Sequence, residues 1–238
     1  MARDPLFWLS LRVTFSYAVV AVPLGLMLGL AVALLMNQNV RGISFFRTIY
    51  YLPAVISGVA VAILWRWIFN PEFGVLNVLL SYVGVRGPNW LRDANWALPS
   101  LILMSLWGIG GGMIINLSAL QNIPTELYEA VEIDGGDNWS KFSNVTIPMI
   151  SPVIFFNLVT GMIWTLQEFT RVYVMTDGGP SNATLFYGLY LYRNAFRYFE
   201  MGYASALAWV LLLAILAFTL FLFRTSRTWV YYEGAAAR

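Results

Sequence analysis

The chain reads as long apolar runs separated by short polar stretches. A helix needs about 20 mostly apolar residues to cross a bilayer core. Five runs reach that length: Val13 to Met36, Tyr51 to Phe69, Trp96 to Leu120, Ile147 to Tyr173 and Tyr203 to Phe223, the last free of charge. The pattern predicts an all-α fold, a polytopic transmembrane helix bundle of about five spans. Pro23, Pro53, Pro99, Pro148 and Pro152 fall within or at the ends of these runs, as membrane helices tolerate when neighbours satisfy the freed backbone groups. The first run is longer than a secretory signal core and lacks a polar cleavage region, so it is read as a span.

The intervening stretches, residues 37–48, 70–95, 121–146, 174–202 and a tail from Arg224, are too short for a domain of their own. The expectation is therefore a single transmembrane domain over residues 1–238. Trp65, Trp67, Trp90, Trp96, Tyr198, Tyr203 and Trp229 to Tyr232 crowd the predicted span ends, as interfacial aromatic belts do, although some would serve as packing. Basic residues do not orient the bundle. One side holds Arg41, Arg47, Lys141, Arg224, Arg227 and Arg238, the other Arg3, Arg12, Arg86, Arg92, Arg171, Arg193 and Arg197, with Arg66 at its edge.

Composition narrows the chemistry. The chain is 59% hydrophobic and 11% charged, with net charge +2 and a single lysine, so no basic surface for nucleic acid is expected. Without cysteine or histidine there is no disulfide framework, thiolate nucleophile, serine–histidine triad or zinc protease motif, and no metal site is expected. Lys141, in the sequence SKFS, lacks the glycine-rich turn of a nucleotide-binding loop, so the chain should not hydrolyse ATP by itself and no cofactor is expected in it.

One polar stretch, about residues 121–147, is organised as helix, turn and helix. Pro124 suits a first helical turn, Glu126 complements its positive end, and Gly135-Gly136 stops it. Helical spacing puts Leu127, Ala130 and Val131 on one face and Glu126, Glu129 and Glu132 opposite. Asp137 can cap a second short helix bearing Trp139 and Phe142, which Pro148 separates from the next span. An interfacial helix resting on headgroups would carry Lys or Arg on its polar face, whereas this one is acidic, which favours a protein partner.

These residues resemble the coupling loop of importer-type ABC transporter permeases, whose pattern is Glu-Ala-Ala, three residues, Gly, nine residues, Ile-x-Leu-Pro. Here Glu129-Ala130-Val131, Gly135 and Val145-Thr146-Ile147-Pro148 keep every spacing, with Val131, Val145 and Ile147 as small apolar departures. Leu127-Tyr128-Glu129-Ala130 with Ile133-Asp134-Gly135 is similar to the carbohydrate branch. So are Tyr173 to Pro180 (YVMTDGGP), the YLYRNAF ending at Phe196 and Gly202 to Ala206, which resemble the larger maltose-type permease subunit, and the early spans PLGLMLGLAVALLMNQ and FFRTIYYLPAVISGVAVAILWRWIFNPEFGVLN. The likeness covers nearly the whole chain.

That resemblance implies a type I ABC importer permease fold in a prokaryotic plasma or inner membrane, with a cytoplasmic coupling helix. Leu127, Tyr128, Glu129, Ala130, Val131, Asp134, Gly135 and Pro148 would serve ATPase coupling. The implied partners are a second permease subunit, two ATP-binding subunits holding ATP and Mg, an extracytoplasmic sugar-binding protein, the sugar and the lipid bilayer. Family members usually have six or more spans, one of them ahead of that starting near Val13. With only residues 1–12 ahead of it here, either the sequence starts after that helix or this member dispenses with it.

Transporter substrate sites lie near the bilayer midplane beside broken helices. Two places qualify: Trp107 to Met113 (WGIGGGM), whose glycines weaken a helix and open space, and the polar Thr165, Gln167 and Glu168 inside an apolar run. By resemblance the sugar-contacting positions fall near Trp107, Gly108, Gly111, Gly161, Thr165 and Glu168. The glycines equally suit close helix packing, and Glu168 equally suits a pair with Arg171. A stand-alone channel or secondary transporter for a small polar solute is the alternative, with Glu168 as the clear intramembrane carboxylate; an intramembrane enzyme lacks a catalytic set.

Overall fold

A computed structural model describes Met1 and residues 3–231. Tyr232 and Arg238, named above among aromatic and basic residues, lie outside the described residues. The first helix, α1 (Pro5–Met36), starts eight residues before the apolar run because Asp4-Pro5 is a helix start in itself. The Asp4 carboxylate accepts the Leu6 N–H at 2.9 Å and Pro5 sits where an absent N–H costs nothing.

The second run is not one straight helix. It forms α2 (Ile43–Val55) and α3 (Gly58–Ile68), bent by 100° where Ile56 and Ser57 take extended backbone (ψ 139° and 134°). A short α4 (Val75–Tyr82) follows. The third run is α5 (Ala94–Leu106) and α6 (Gly110–Gln121), bent by 43° at Trp107 to Ile109. Then come α7 (Thr125–Ile133), α8 (Asn138–Lys141), a π turn at Phe142–Thr146 and α9 (Ile147–Leu166). The chain ends in α10 (Thr170–Met175), α11 (Tyr187–Tyr192), a second π turn at Arg193–Arg197 and α12 (Met201–Ser226). Among the described residues, three helices are long and apolar enough to cross a membrane, or up to five if each bent pair counts as one span.

Two expected boundaries move for identifiable reasons. Pro148 does not separate α8 from α9: the stretch Asn138–Leu166 is continuous. A proline ring clashes with the carbonyl four residues back, and the wider π turn just ahead of Pro148 relieves that clash. The fourth run stops at Leu166 instead of Tyr173, because Gln167 and Glu168 tighten the last turn onto the Trp164 and Thr165 carbonyls and Glu168 then accepts the Arg171 N–H in the first turn of α10. Residues 174–202, expected to be a polar connection, contain Leu185, Phe186, Tyr187 and Leu189, which are among the most buried side chains. Trp65 and Trp90 pack on that core, so they are packing residues, whereas Trp67 and Tyr198 are exposed.

α1 is the central element, packed against α5, α6, α9 and α11. Fully buried Ala18 and Ala33 let neighbouring helices come close. Thr14 accepts the Tyr187 N–H at 2.8 Å and Tyr187 donates its hydroxyl to the Leu207 carbonyl at 2.9 Å, tying α1, α11 and α12. The Asp4 carboxylate completes the tie, accepting the Tyr190 hydroxyl and, at 2.9 Å, that of Tyr203. Burial raises the Asp4 carboxyl's proton affinity, but the tyrosine bonds and helix-start N–H groups outweigh it and hold its pKa below the ordinary 3.8.

A depressed carboxylate contributes stability above its unfolded pKa and loses it as the pH falls through the lower folded value. Asp4→Asn should therefore lower stability at neutral pH by about 1–2 kcal/mol, the value of a hydrogen-bonded charge reduced by the solvent screening of a partly exposed carboxylate. In detergent melts the difference from the unaltered chain should shrink only below about pH 3.8. A difference already gone at pH 6 contradicts this account.

Candidate functional site

Two places combine polar groups with broken helices. The first is a cavity of about 540 Å³ between α1, the α5–α6 break and the end of α9. Gly108, Gly111 and Gly161 form walls without side chains, and Thr165 and Glu168 line the same space, so five of the six positions picked from sequence converge. Trp107 does not line it. Its ring packs edge-on to Trp65 at 6.0 Å and faces an adjoining cleft between α3 and α5. Gly111 has open space, with the nearest outside atom 4.0 Å from where a Cβ would stand. Gly110, beside it, serves packing instead: a Cβ there would lie 2.1 Å from the Tyr50 carbonyl oxygen of α2.

Glu168 both lines the cavity and pairs with Arg171, its carboxylate 3.4 Å from the guanidinium Nε. Other lining residues were missed from sequence: Tyr17, Ser105, Asn157, Thr160 and Trp164. Asn157 is 8% exposed and donates to Asn116 on α6 at 3.0 Å, and a polar amide in the middle of an apolar span was the signal that could have marked it. Tyr17 offered no such signal, since a tyrosine in an apolar run reads as packing; it lines the cavity together with Ser105 and Arg171. The cavity thus offers hydroxyls, an amide, an ion pair and an indole, chemistry that binds a polyhydroxylated solute by hydrogen bonds and ring stacking.

The second place is the helical insert. Gly135 has φ 77° and ends α7: its N–H donates to Glu132 and the Gly136 N–H to Val131, the paired bonds of a left-handed helix stop. Asp134 donates its N–H to Ala130 in the same turn. Asp137 caps α8 by accepting the Ser140 N–H and hydroxyl, which hold its carboxyl below the usual range. The apolar face predicted by spacing is divided between bundle and exterior. Tyr128 and Val131 are half-buried and touch the bundle, whereas Leu127, Ala130 and Glu129 are exposed. Ile133 and Trp139 stand 86% and 69% exposed, so this polar insert presents apolar surface outward. Pro148 lies in the continuous helix above it.

Residues 21–227 match the model of a family described as the binding-protein-dependent transport system inner membrane component. The chain belongs to this family. It is therefore an integral inner-membrane component of such a transporter, and its work is translocation and not covalent catalysis. The chain is 45% identical over 235 residues to a probable ABC transporter permease, YesP of Bacillus subtilis strain 168, the match covering 97% of this chain and 76% of that one. It is 40% identical over 228 residues to the lactose transport system permease protein LacF of Rhizobium radiobacter, covering 92% and 76%. A crystal structure of a bacterial ABC transporter involved in import of the acidic polysaccharide alginate superposes with TM-score 0.86 at 26% identity, over 95% of this chain and 80% of that one. The fold is that of a type I ABC importer permease.

Gly111→Leu should place a side chain in the cavity without a backbone clash. Uptake by the assembled transporter should fall about tenfold or more, the effect of a methylene misplaced in a binding pocket, with the amount of membrane-inserted chain unchanged. Undiminished uptake removes Gly111 from the translocation path.

Proposed function

We propose that this chain, as one transmembrane domain, is the permease subunit of an ATP-driven, binding-protein-dependent sugar importer and forms half of its translocation pathway. The observation that carries this reading is the cavity, where broken helices from α5–α6 and α9 bring glycine walls against hydroxyl, amide and ion-pair groups. Its relatives include a lactose permease. Gly108, Gly111, Gly161, Thr165 and Glu168 contact the sugar, Trp107 closes the adjoining cleft, and the Glu168–Arg171 pair leaves those two charges balanced, as suits a neutral saccharide.

The insert docks a separate ATPase. Exposed Leu127, Ile133 and Trp139 offer apolar area beside the carboxylates of Glu126 and Glu129, and the stop at Gly135 fixes where α7 ends. The insert is then cytoplasmic, and Asp177 with Arg193 and Arg197, paired at 3.3 and 3.1 Å, lies on the side facing the sugar-binding protein. A second permease subunit and two ATP-binding subunits complete the assembly. ATP binding favours the outward-facing state and its hydrolysis restores the inward one, each by differential affinity for the two states.

Mild-detergent isolation followed by mass spectrometry tests this directly. A second permease and an ATPase should co-purify, and Gly135→Val, which forces a β-branched residue into left-handed backbone, should release the ATPase and abolish ATP-driven uptake while the chain stays in the membrane. An isolated chain that still transports after reconstitution would falsify the reading. Glu168→Gln should change uptake more than assembly; unaltered uptake makes its pair with Arg171 structural only.

A further inference from the structure

α7 hangs from the bundle by one stripe. Of its nine residues, seven are exposed, and the half-buried pair, Tyr128 and Val131, packs on a core built from Met36 of α1, Leu117 and Leu120 of α6, Val145 of the π turn and Ile150 of α9. Tyr128, Val131 and Glu132 are three and four residues apart, so they lie along one helix face. Each end of that face reaches the same segment. The Tyr128 hydroxyl is 3.1 Å from Thr146 Oγ1, and the Glu132 carboxylate pairs with the Lys141 ammonium.

The segment so gripped is the π turn Phe142–Thr146 with the residue before it. Thr146 is 5% exposed and donates its hydroxyl to the Lys141 carbonyl at 3.3 Å. A threonine hydroxyl has one hydrogen, so with that hydrogen on Lys141 the Tyr128 hydroxyl is the donor to Thr146. The bond from α7 is thus continuous with the bond that spans the turn. A π turn holds one residue more per turn than α-helix, and losing that residue rotates the preceding helix by about 100° relative to the following one.

We propose that the Tyr128–Thr146 hydrogen bond is the joint through which displacement of α7 is delivered to α9, with Tyr128 and Thr146 as positioning residues. This rests on the reading of α7 as the ATPase-docking helix, and adds that Tyr128 works inward, on its own chain. Pushed by a docked partner, α7 pulls on Thr146 and Lys141 together. The strain falls on the π turn, where the hydrogen-bond register of the stretch Asn138–Leu166 changes, and that stretch ends at the cavity.

The test uses the whole transporter reconstituted in vesicles, with solute transported per ATP hydrolysed as the readout and ATPase co-purification as the control. Thr146→Val and Tyr128→Phe should each lower the ratio roughly fivefold, the equilibrium factor of one net hydrogen bond. The double variant should be no worse than either alone, because both remove the same bond, and Thr146→Ser, which keeps the hydroxyl, should restore the ratio. Co-purified ATPase should match the unaltered complex. Ratios equal to the unaltered complex, or losses that multiply in the double variant, overturn the joint. Failure of the docking reading shows separately, as ATPase retention that does not respond to Gly135→Val.

Discussion

Hydrocarbon offers backbone groups no hydrogen-bonding partner, so in an apolar chain irregular backbone survives only where it is covered by protein or lines a polar space. The breaks within the apolar runs obey this constraint together. The bend at Ile56–Ser57, the bend at Trp107–Ile109 and the interruption at Gln167–Phe169 all border two adjoining cavities, which share Ser105, Gly108 and Arg171. A helix that stops inside the bundle exposes terminal amides and carbonyls to whatever fills that space. Position and chemistry of the site thus follow from one requirement, that freed backbone be satisfied.

Much of this was legible in the sequence because lipid simplifies the code. Long runs with few charges gave the class of fold, and Gly135-Gly136, Asp137 and Pro124 announced the ends of α7 and α8 through local rules that tertiary packing rarely overrides. The early start of α1 was also written there, in Asp4-Pro5, but a reading by hydropathy passes over polar residues. Bends were harder. Neither the 100° nor the 43° angle has a hydropathy signature, since each pair is apolar enough as a whole to read as one span.

The candidate site divides along a similar line. Glycines, Thr165 and Glu168 stand out against an apolar background, and they do meet in one cavity. Tyr17 comes from another helix far away in the chain, and packing alone brings it into the cavity that Ser105 and Arg171 also line. Which side of α7 meets the bundle was not legible for a related reason. Amphipathic spacing groups side chains by face without saying which face turns inward, and here Ile133 of α7 and Trp139 of α8 turn out while Tyr128, with its hydroxyl, turns in. An apolar face with a partner elsewhere and an apolar face with a partner in the same chain look alike in one dimension.

At Gly110, α6 meets α2 with no side chain between them, the bare Cα lying against the backbone of Tyr50 and Tyr51. Side chains ordinarily act as soft bumpers, because they can change rotamer and absorb a fraction of an ångström. A backbone-on-backbone contact has no such give. Compression across it is passed on undiminished, and only sliding along the surface is free. The two bent pairs therefore touch at a hard bearing: α2 can glide over the start of α6 but cannot be pressed into it, which limits their relative motion to a shear.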